Sequence, residues 1–177
     1  MSTQIEVKYY EDQHGMMMIR GPNQVTLVDG GHSSIVGNMR NSDNDGFYDI
    51  TITDWEGHAV RNVTNKMEGG ALDAYMTIRD HDIPHLIDKN NEMAFTLANE
   101  VNAVHQNGFG LRDYAERTGR NFFEISGDVD DAARSIDIET AILQSNDAIA
   151  AASTPQAPGD NININRILRI KEAKIFP

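Results

Sequence analysis

The chain has 177 residues, of which 40% are hydrophobic, with no cysteine and a formal net charge of -12. That length builds one good core or two small ones, and the missing thiols exclude disulfides, thiol catalysis and thiolate metal sites. Fifteen basic residues scattered among 27 acidic ones make no patch for phosphate, which argues against nucleic acid and anionic membrane as partners. No apolar run approaches the ~20 residues of a membrane span. No basic segment followed by an apolar stretch opens the sequence, so no cleaved secretory signal is expected, which leaves dedicated export machines open.

Residues 4 to about 63 read as β. Ile5, Val7 and Tyr9 alternate with Glu6 and Lys8. His14-Gly15 punctuates, Met16 to Ile19 resumes, and Gly21-Pro22-Asn23 turns the chain again. Val25 to Val28 ends at Asp29-Gly30-Gly31. After a polar loop from Asn41 to Gly46, the residues Tyr48, Ile50 and Ile52 alternate strictly with polar neighbours. Trp55-Glu56-Gly57 then predicts a hairpin with Val60 and Val63 on the return. Sequential strands with short turns imply an antiparallel meander, and such a sheet needs a cover for one face.

The helical half is expected to supply that cover. Gly69-Gly70 leads into Ala71 to Arg79, where Leu72, Tyr75, Met76 and Arg79 keep helical spacing. Pro84 suits the first turn of a new helix or a kink in one long helix. From there to about Gln106, Ile83, Leu86, Ile87, Met93, Ala94, Leu97, Ala98, Val101 and Val104 form an apolar stripe with a lone polar residue at Asn90. Gly108 is placed as a left-handed residue after the last turn, and His105 as a dipole partner when protonated. Phe109 to Asn121 is a long polar connector expected to be ordered by its own packing. Beyond it the pattern predicts a short strand through Ile136 and Ile138 and a helix over Asp147 to Ala152 capped by Ser145 or Asn146. A linker follows from Ser153 to Gly159, and a last helix, capped by Asp160-Asn161, carries Ile164, Ile167, Leu168 and Ile175. The fold class is therefore α+β, an N-terminal antiparallel meander packed with a long amphipathic helix and shorter C-terminal helices. The expected organisation is a β-rich part, 1-66, and a helical and loop part, 67-177, packed on it as a single unit.

Candidate chemistry is sparse. His81 and His85 flank Asp82 at helical spacing, but the zinc pattern wants Glu, and Pro84 disturbs the turn that would align the rings. Asn41, Asp43, Asp45 and Gly46 match the start of a calcium loop whose closing glutamate is replaced by Ile52, so a polar turn is the expected meaning. Asp128, Asp130 and Asp131 read as a solvated loop. His32 beside Ser33 lacks the strand-to-helix elbow of a nucleophile, and Gly69-Gly70 lacks the Lys-Ser or Lys-Thr of a phosphate loop. Met16 to Met18 are expected to pack on the sheet. No catalytic residue, metal or cofactor is expected.

The most informative stretch runs from Asn91 to Phe123. Leu97 and Val101 lie on the stripe, Asn102, His105 and Gly108 mark its end, and Gly119-Arg120-Asn121-Phe122-Phe123 follows. Together with Gly69-Gly70-Ala71-Leu72, Arg79-Asp80 and the Pro84 region, these residues resemble the flagellar hook-associated protein type 1 (FlgK) family of the hook–filament junction. The order and spacing over about fifty residues carry the resemblance, since no single position is specific. The sequence departs from the family at Phe109-Gly110-Leu111-Arg112, and it lacks the long heptad-rich terminal helices, which implies a central fragment.

The resemblance implies structural work without catalysis. Leu97, Val101, Asn102, His105, Gly108, Gly119, Phe122 and Phe123 would fix how the long helix meets its surroundings. Such proteins are exported through the flagellar type III apparatus, act outside the cell, and form a ring of copies joined to hook and junction proteins. The isolated fragment is expected to be a monomer. A binding or adhesive module of a cell-surface or phage-tail assembly is the competing expectation, and a metal-dependent hydrolase using His81, Asp82 and His85 the third.

Overall fold

Seven short strands open the chain: β1 (Lys8–Glu11), β2 (Met17–Arg20), β3 (Thr26–Asp29), β4 (His32–Ser33), β5 (Ile35–Arg40), β6 (Tyr48–Thr53) and β7 (Val60–Asn62). The structure is a computed structural model that describes residues 3–58, 60–125 and 127–173. All pairings are antiparallel, as alternation and short turns require. The meander nevertheless divides in two, a four-stranded sheet β1-β2-β3-β4 and a three-stranded sheet β5-β6-β7. Alternation along a strand sets which side chains face inward, whereas the choice of sheet is set by long-range packing.

The chain forms two compact units, residues 1–84 and 85–177. In the first, Val25, Leu27, Ile50, Ile52, Val63 and Met67 make the core, with Ile5, Val7, Ile19, Leu72 and Met76 packed against it. Burying each of these aliphatic side chains contributes roughly 1.5–3 kcal/mol. The polar positions of β6 are also buried: Asp49 accepts from the Asn41 side-chain amide at 3.0 Å and from that of Asn62. The Ile50 N–H donates to the Thr64 hydroxyl at 2.8 Å. Met16 and Met17, by contrast, are about half exposed, so the expected sheet packing of that run fails there.

Helix α1 (Gly70–Thr77) begins against the N-terminal segment. The Ala71 and Leu72 N–H groups donate to the carbonyls of Thr3 and Gln4 at 3.0 and 2.9 Å, which satisfies donors that a helix start leaves open. A Cβ on Gly70 would lie 2.7 Å from the Gln4 oxygen, and Gly70 has φ +84°. The glycine pair therefore serves close backbone approach. Helical conformation then continues through a π-turn at Ile78–Asp82 into α2 (Ile83–His105). The Ile83 N–H donates to the Ile78 carbonyl, and this wider turn sits directly before Pro84, which has no N–H to give. Of the two readings of Pro84, the continuous helix with a local irregularity is the one observed. Arg79 pairs bidentately with Asp80 and donates to the Tyr48 carbonyl at 2.9 Å, and Asn44 donates to Asp80. The 41–48 loop is held this way, and its Asp43 N–H bonds to the Asn41 side chain at 2.9 Å as in a polar turn.

In the second unit, α2 is followed by β8 (Phe123–Glu124), α3 (Ala132–Ser135), β9 (Asp137–Ile138), α4 (Thr140–Gln144) and α5 (Ile162–Arg169). Strand β9 pairs with β8, Phe123 opposite Ile138, where the sequence predicts a short strand. The helix expected over Asp147 to Ala152 is absent. A single 3₁₀ turn at Asn146–Ala148 gives way to extended chain, and Ala152 forms a two-way bridge with Phe109. Those alanines are good helix formers, but their backbone groups are recruited by partners far off in sequence, and tertiary pairing overrides propensity. In α5 the buried face carries Asn163 and leads to Ile170, while Leu168 is 55% exposed, contrary to the expected apolar row. Ile175 lies outside the described residues.

Among the described residues no helix is long and apolar enough to cross a membrane. No group of three or more His, Asp or Glu side chains gathers there in a way that could hold a metal ion.

Candidate functional site at the end of the long helix

Helix α2 buries a narrow line of residues: Asn91, Ala98, Val101, Asn102 and His105. Positions 91, 98, 102 and 105 fall within a few tens of degrees of one another at ~3.6 residues per turn. The buried face thus begins and ends on polar side chains. Leu97 is half-buried beside this line and Val101 is 6% exposed. The first turns of the helix are different: Ile83, Leu86, Ile87 and Met93 are all about half exposed or more, so the predicted stripe is buried only from Ala94 onward. The polar group in the seam is Asn91, not Asn90. Its side chain donates to the Asp130 carbonyl at 2.6 Å and accepts from the Ala133 N–H at 3.0 Å.

Asn102 anchors the returning chain. Its Oδ1 accepts from the Phe122 and Phe123 N–H groups, each at 2.8 Å, and its Nδ2 donates to the Phe123 carbonyl at 2.9 Å. One amide side chain thereby pairs with three backbone groups of a segment that β9 pairs from Phe123 onward. Phe122 and Phe123 meet edge to face, 4.9 Å between ring centroids, and the His105 ring stands 5.5 Å from Phe122, distances at which aromatic pairs attract.

His105 is fully buried. The Ala150 N–H donates to Nε2 at 2.9 Å, and Nδ1 lies 2.9 Å from the Arg120 carbonyl. A backbone N–H can only donate and a carbonyl only accept, so the ring is neutral with its proton on Nδ1. Burial is the main cause that holds its pKa below the ordinary 6.5, and the nearby Arg120 guanidinium acts in the same direction, while the bond to the Arg120 carbonyl and the Asp113 carboxylate oppose them. The expected role as a protonated partner of the helix dipole is therefore overturned.

Gly108 is also corrected. Its φ does not lie in the left-handed region. Its requirement is steric, because a Cβ there would sit 2.2 Å from the Asn163 Nδ2 and 2.8 Å from the Ala150 carbonyl. Asn163, fully buried, donates to Ala150 O at 2.8 Å and to Val104 O at 3.2 Å. The left-handed glycine is Gly119, with φ +60° and nothing within 4 Å of its would-be Cβ.

The connector 109–121 is ordered by its own contacts, as expected. Arg120 forks onto Asp113 at 2.8 and 3.2 Å, and Asp113 also accepts from the Gly110 N–H at 2.7 Å. Burial pushes the Asp113 carboxyl up, but the hydrogen bonds from Arg120 and Gly110 outweigh it and leave the pKa lowered. The Thr118 and Gly119 N–H groups bond to the Gly108 and Gln106 carbonyls. The structure thus brings Leu97, Val101, Asn102, His105, Gly108, Phe122 and Phe123 to the last turns of α2 and their surroundings, with Gly119 at an exposed turn. Sequence reasoning missed Asn91, Asn163, Ala150 and the Arg120–Asp113 pair. Their partners lie as far as 59 residues away, and no local pattern marks them.

Such an arrangement positions backbone and gathers no reacting groups. His81 bonds Asp82 across 3.2 Å at the surface.

Two predictions arise from this geometry. Asn102→Ala strands three backbone groups and should cost about 3 kcal/mol, read as a lower denaturation midpoint with unchanged slope. Gly119→Ala should cost about 1 kcal/mol through backbone conformation alone, and a melting temperature equal to the parent's would remove that reading.

An antiparallel β opening followed by a long helix and a latched return defines an α+β module. The family model of the flagellar hook-associated protein FlgK helical domain matches residues 1–123. The chain belongs to this family, one of structural components of the bacterial flagellum. Among solved structures it is similar to the flagellar hook junction protein FlgK from Burkholderia pseudomallei, with 15% identity and a TM-score of 0.53 over 69% of this chain. At that identity the likeness bears on fold alone, and the chain spans 22% of the length of that protein. No curated protein matches.

Proposed function

We propose that this chain is a subunit portion of the hook–filament junction, a rigid building block of the flagellum's exterior that assembles with copies of itself in a ring and with adjacent hook and junction proteins. The observation that carries the reading is the family match over residues 1–123. The geometry agrees with it: the buried Asn91, Asn102 and His105 bond to backbone, which suits a part that transmits load and handles no substrate. Absence of cysteine suits a subunit that passes unfolded through a flagellar type III channel and refolds by packing alone. As an isolated piece it is a monomer.

Antibody raised against residues 3–173 and applied to detached flagella of the source bacterium tests this under the electron microscope. Immunogold should collect in one band between hook and filament. Label spread along the filament, or confined to the cell body, refutes the assignment. Sedimentation at increasing concentration should return one constant monomer mass.

A further inference from the structure

The first unit holds a cleft of about 240 Å³ lined by residues from both sheets, mostly polar, with Val25 and Ile52 of the core among them. We propose that this cleft is a binding site for a neutral pyranose sugar, built on Trp55. The indole belongs to the Asp54–Gly57 turn after β6 and remains 54% exposed. It is nevertheless held in place: the His32 ring lies against it, 4.2 Å between centroids with 31° between planes. A large, fixed and exposed aromatic contributes little to folding, whereas it offers a flat apolar surface for the C–H face of a sugar ring.

The polar walls supply the other half of that recognition. Arg61, on β7 opposite Ile52, and Asp29, at the end of β3, both line the cleft beside Gln24 and Asp54. Among the described residues the side chains of Arg61 and Asp29 form no hydrogen bond or ion pair. Planar guanidinium, carboxylate and amide groups around an aromatic suit adjacent hydroxyls, which each donate and accept. Charge decides the ligand class. Two carboxylates face one guanidinium in a chain of net charge -12, which disfavours nucleotides, phosphosugars and acidic sugars. The cleft admits one ring-sized molecule, so affinity should be weak and read the end of a glycan.

Trp55 is the only tryptophan, and its fluorescence reports the site directly. The full chain is titrated with methyl glycosides of glucose, galactose, mannose and N-acetylglucosamine, and with glucuronate. At least one neutral glycoside should give a saturable change with Kd on the order of 1 mM, and glucuronate should bind more weakly. Arg61→Ala and Asp29→Asn, both at exposed positions, should weaken binding about tenfold with melting unchanged. The site is refuted if no neutral glycoside saturates the signal, if glucuronate binds best, or if binding survives both substitutions. The outcome is independent of where the protein sits in the flagellum.

Discussion

Gly108→Ala should lower the melting temperature by about 10 °C. The new Cβ would lie 2.2 Å from the Asn163 amide nitrogen and 2.8 Å from the Ala150 oxygen. Neither neighbour can retreat. Asn163 is fully buried and bonded to two carbonyls, and Ala150 is held through its N–H by His105. Something must break, at a cost of about 3 kcal/mol. The mechanism has a specific signature. Asn163→Ala alone strands the Ala150 carbonyl and leaves the Val104 carbonyl only its bond from the Asn107 N–H, yet in the Gly108→Ala background it also removes the closest clash. The double variant should therefore be destabilised by clearly less than the sum of the singles. Strict additivity, measured by denaturant unfolding of all four proteins, would show that Gly108 and Asn163 do not share a cage.

The second large effect is one of pH. His105 is buried neutral, with Nε2 accepting from a backbone N–H that cannot reverse its role. Unfolded, the imidazole takes a proton near its ordinary 6.5; folded, its pKa lies lower, chiefly because burial disfavours the charged form. Below about 6.5 the unfolded state binds more protons, so this contribution to stability is fully present above that pH and declines as the pH falls. The slope approaches about 1.4 kcal/mol per pH unit until the folded group titrates. The other five histidines are exposed. Asp80, Asp113 and Asp160 also have lowered pKa values, Asp160 through hydrogen bonds from Ile162, Ser153 and Thr154. Their contributions are present above about 3.8 and are lost only at more acid pH, so the two stages separate. Melting from pH 8 to 4.5 should show a plateau and then a decline beginning near 6.5. His105→Gln should abolish the decline in that window and cost about 3 kcal/mol at neutral pH, since it disturbs two buried hydrogen bonds. A parent profile flat down to pH 5 would mean that the ring titrates freely.

The two effects show where local reading succeeds. Asn102, His105 and Gly108 stand out in the sequence because polar and glycine residues interrupt an apolar period at a helix end. Their importance was legible, but their duties were not. A glycine after a helix is most often left-handed; here Asn163, 55 positions further on, makes it a steric requirement. A histidine in a last turn ordinarily meets the dipole as a cation; here Ala150 donates into its ring and burial keeps it neutral.

The sequence by itself determined the α+β class, the antiparallel strand order, the long amphipathic helix, and membership of a structural flagellar family. Each of these follows from short-range periodicity, turn chemistry or an ordered motif, and such signals survive without knowledge of neighbours. Only the tertiary structure decided that the meander splits into two sheets. It also decided that Ile149 to Ala152 is extended rather than helical, that Asn91 rather than Asn90 enters the seam, and that Asn163 fills the space a side chain at position 108 would need. Those outcomes depend on which buried donors find which acceptors across tens of residues, and no window along the chain contains both partners.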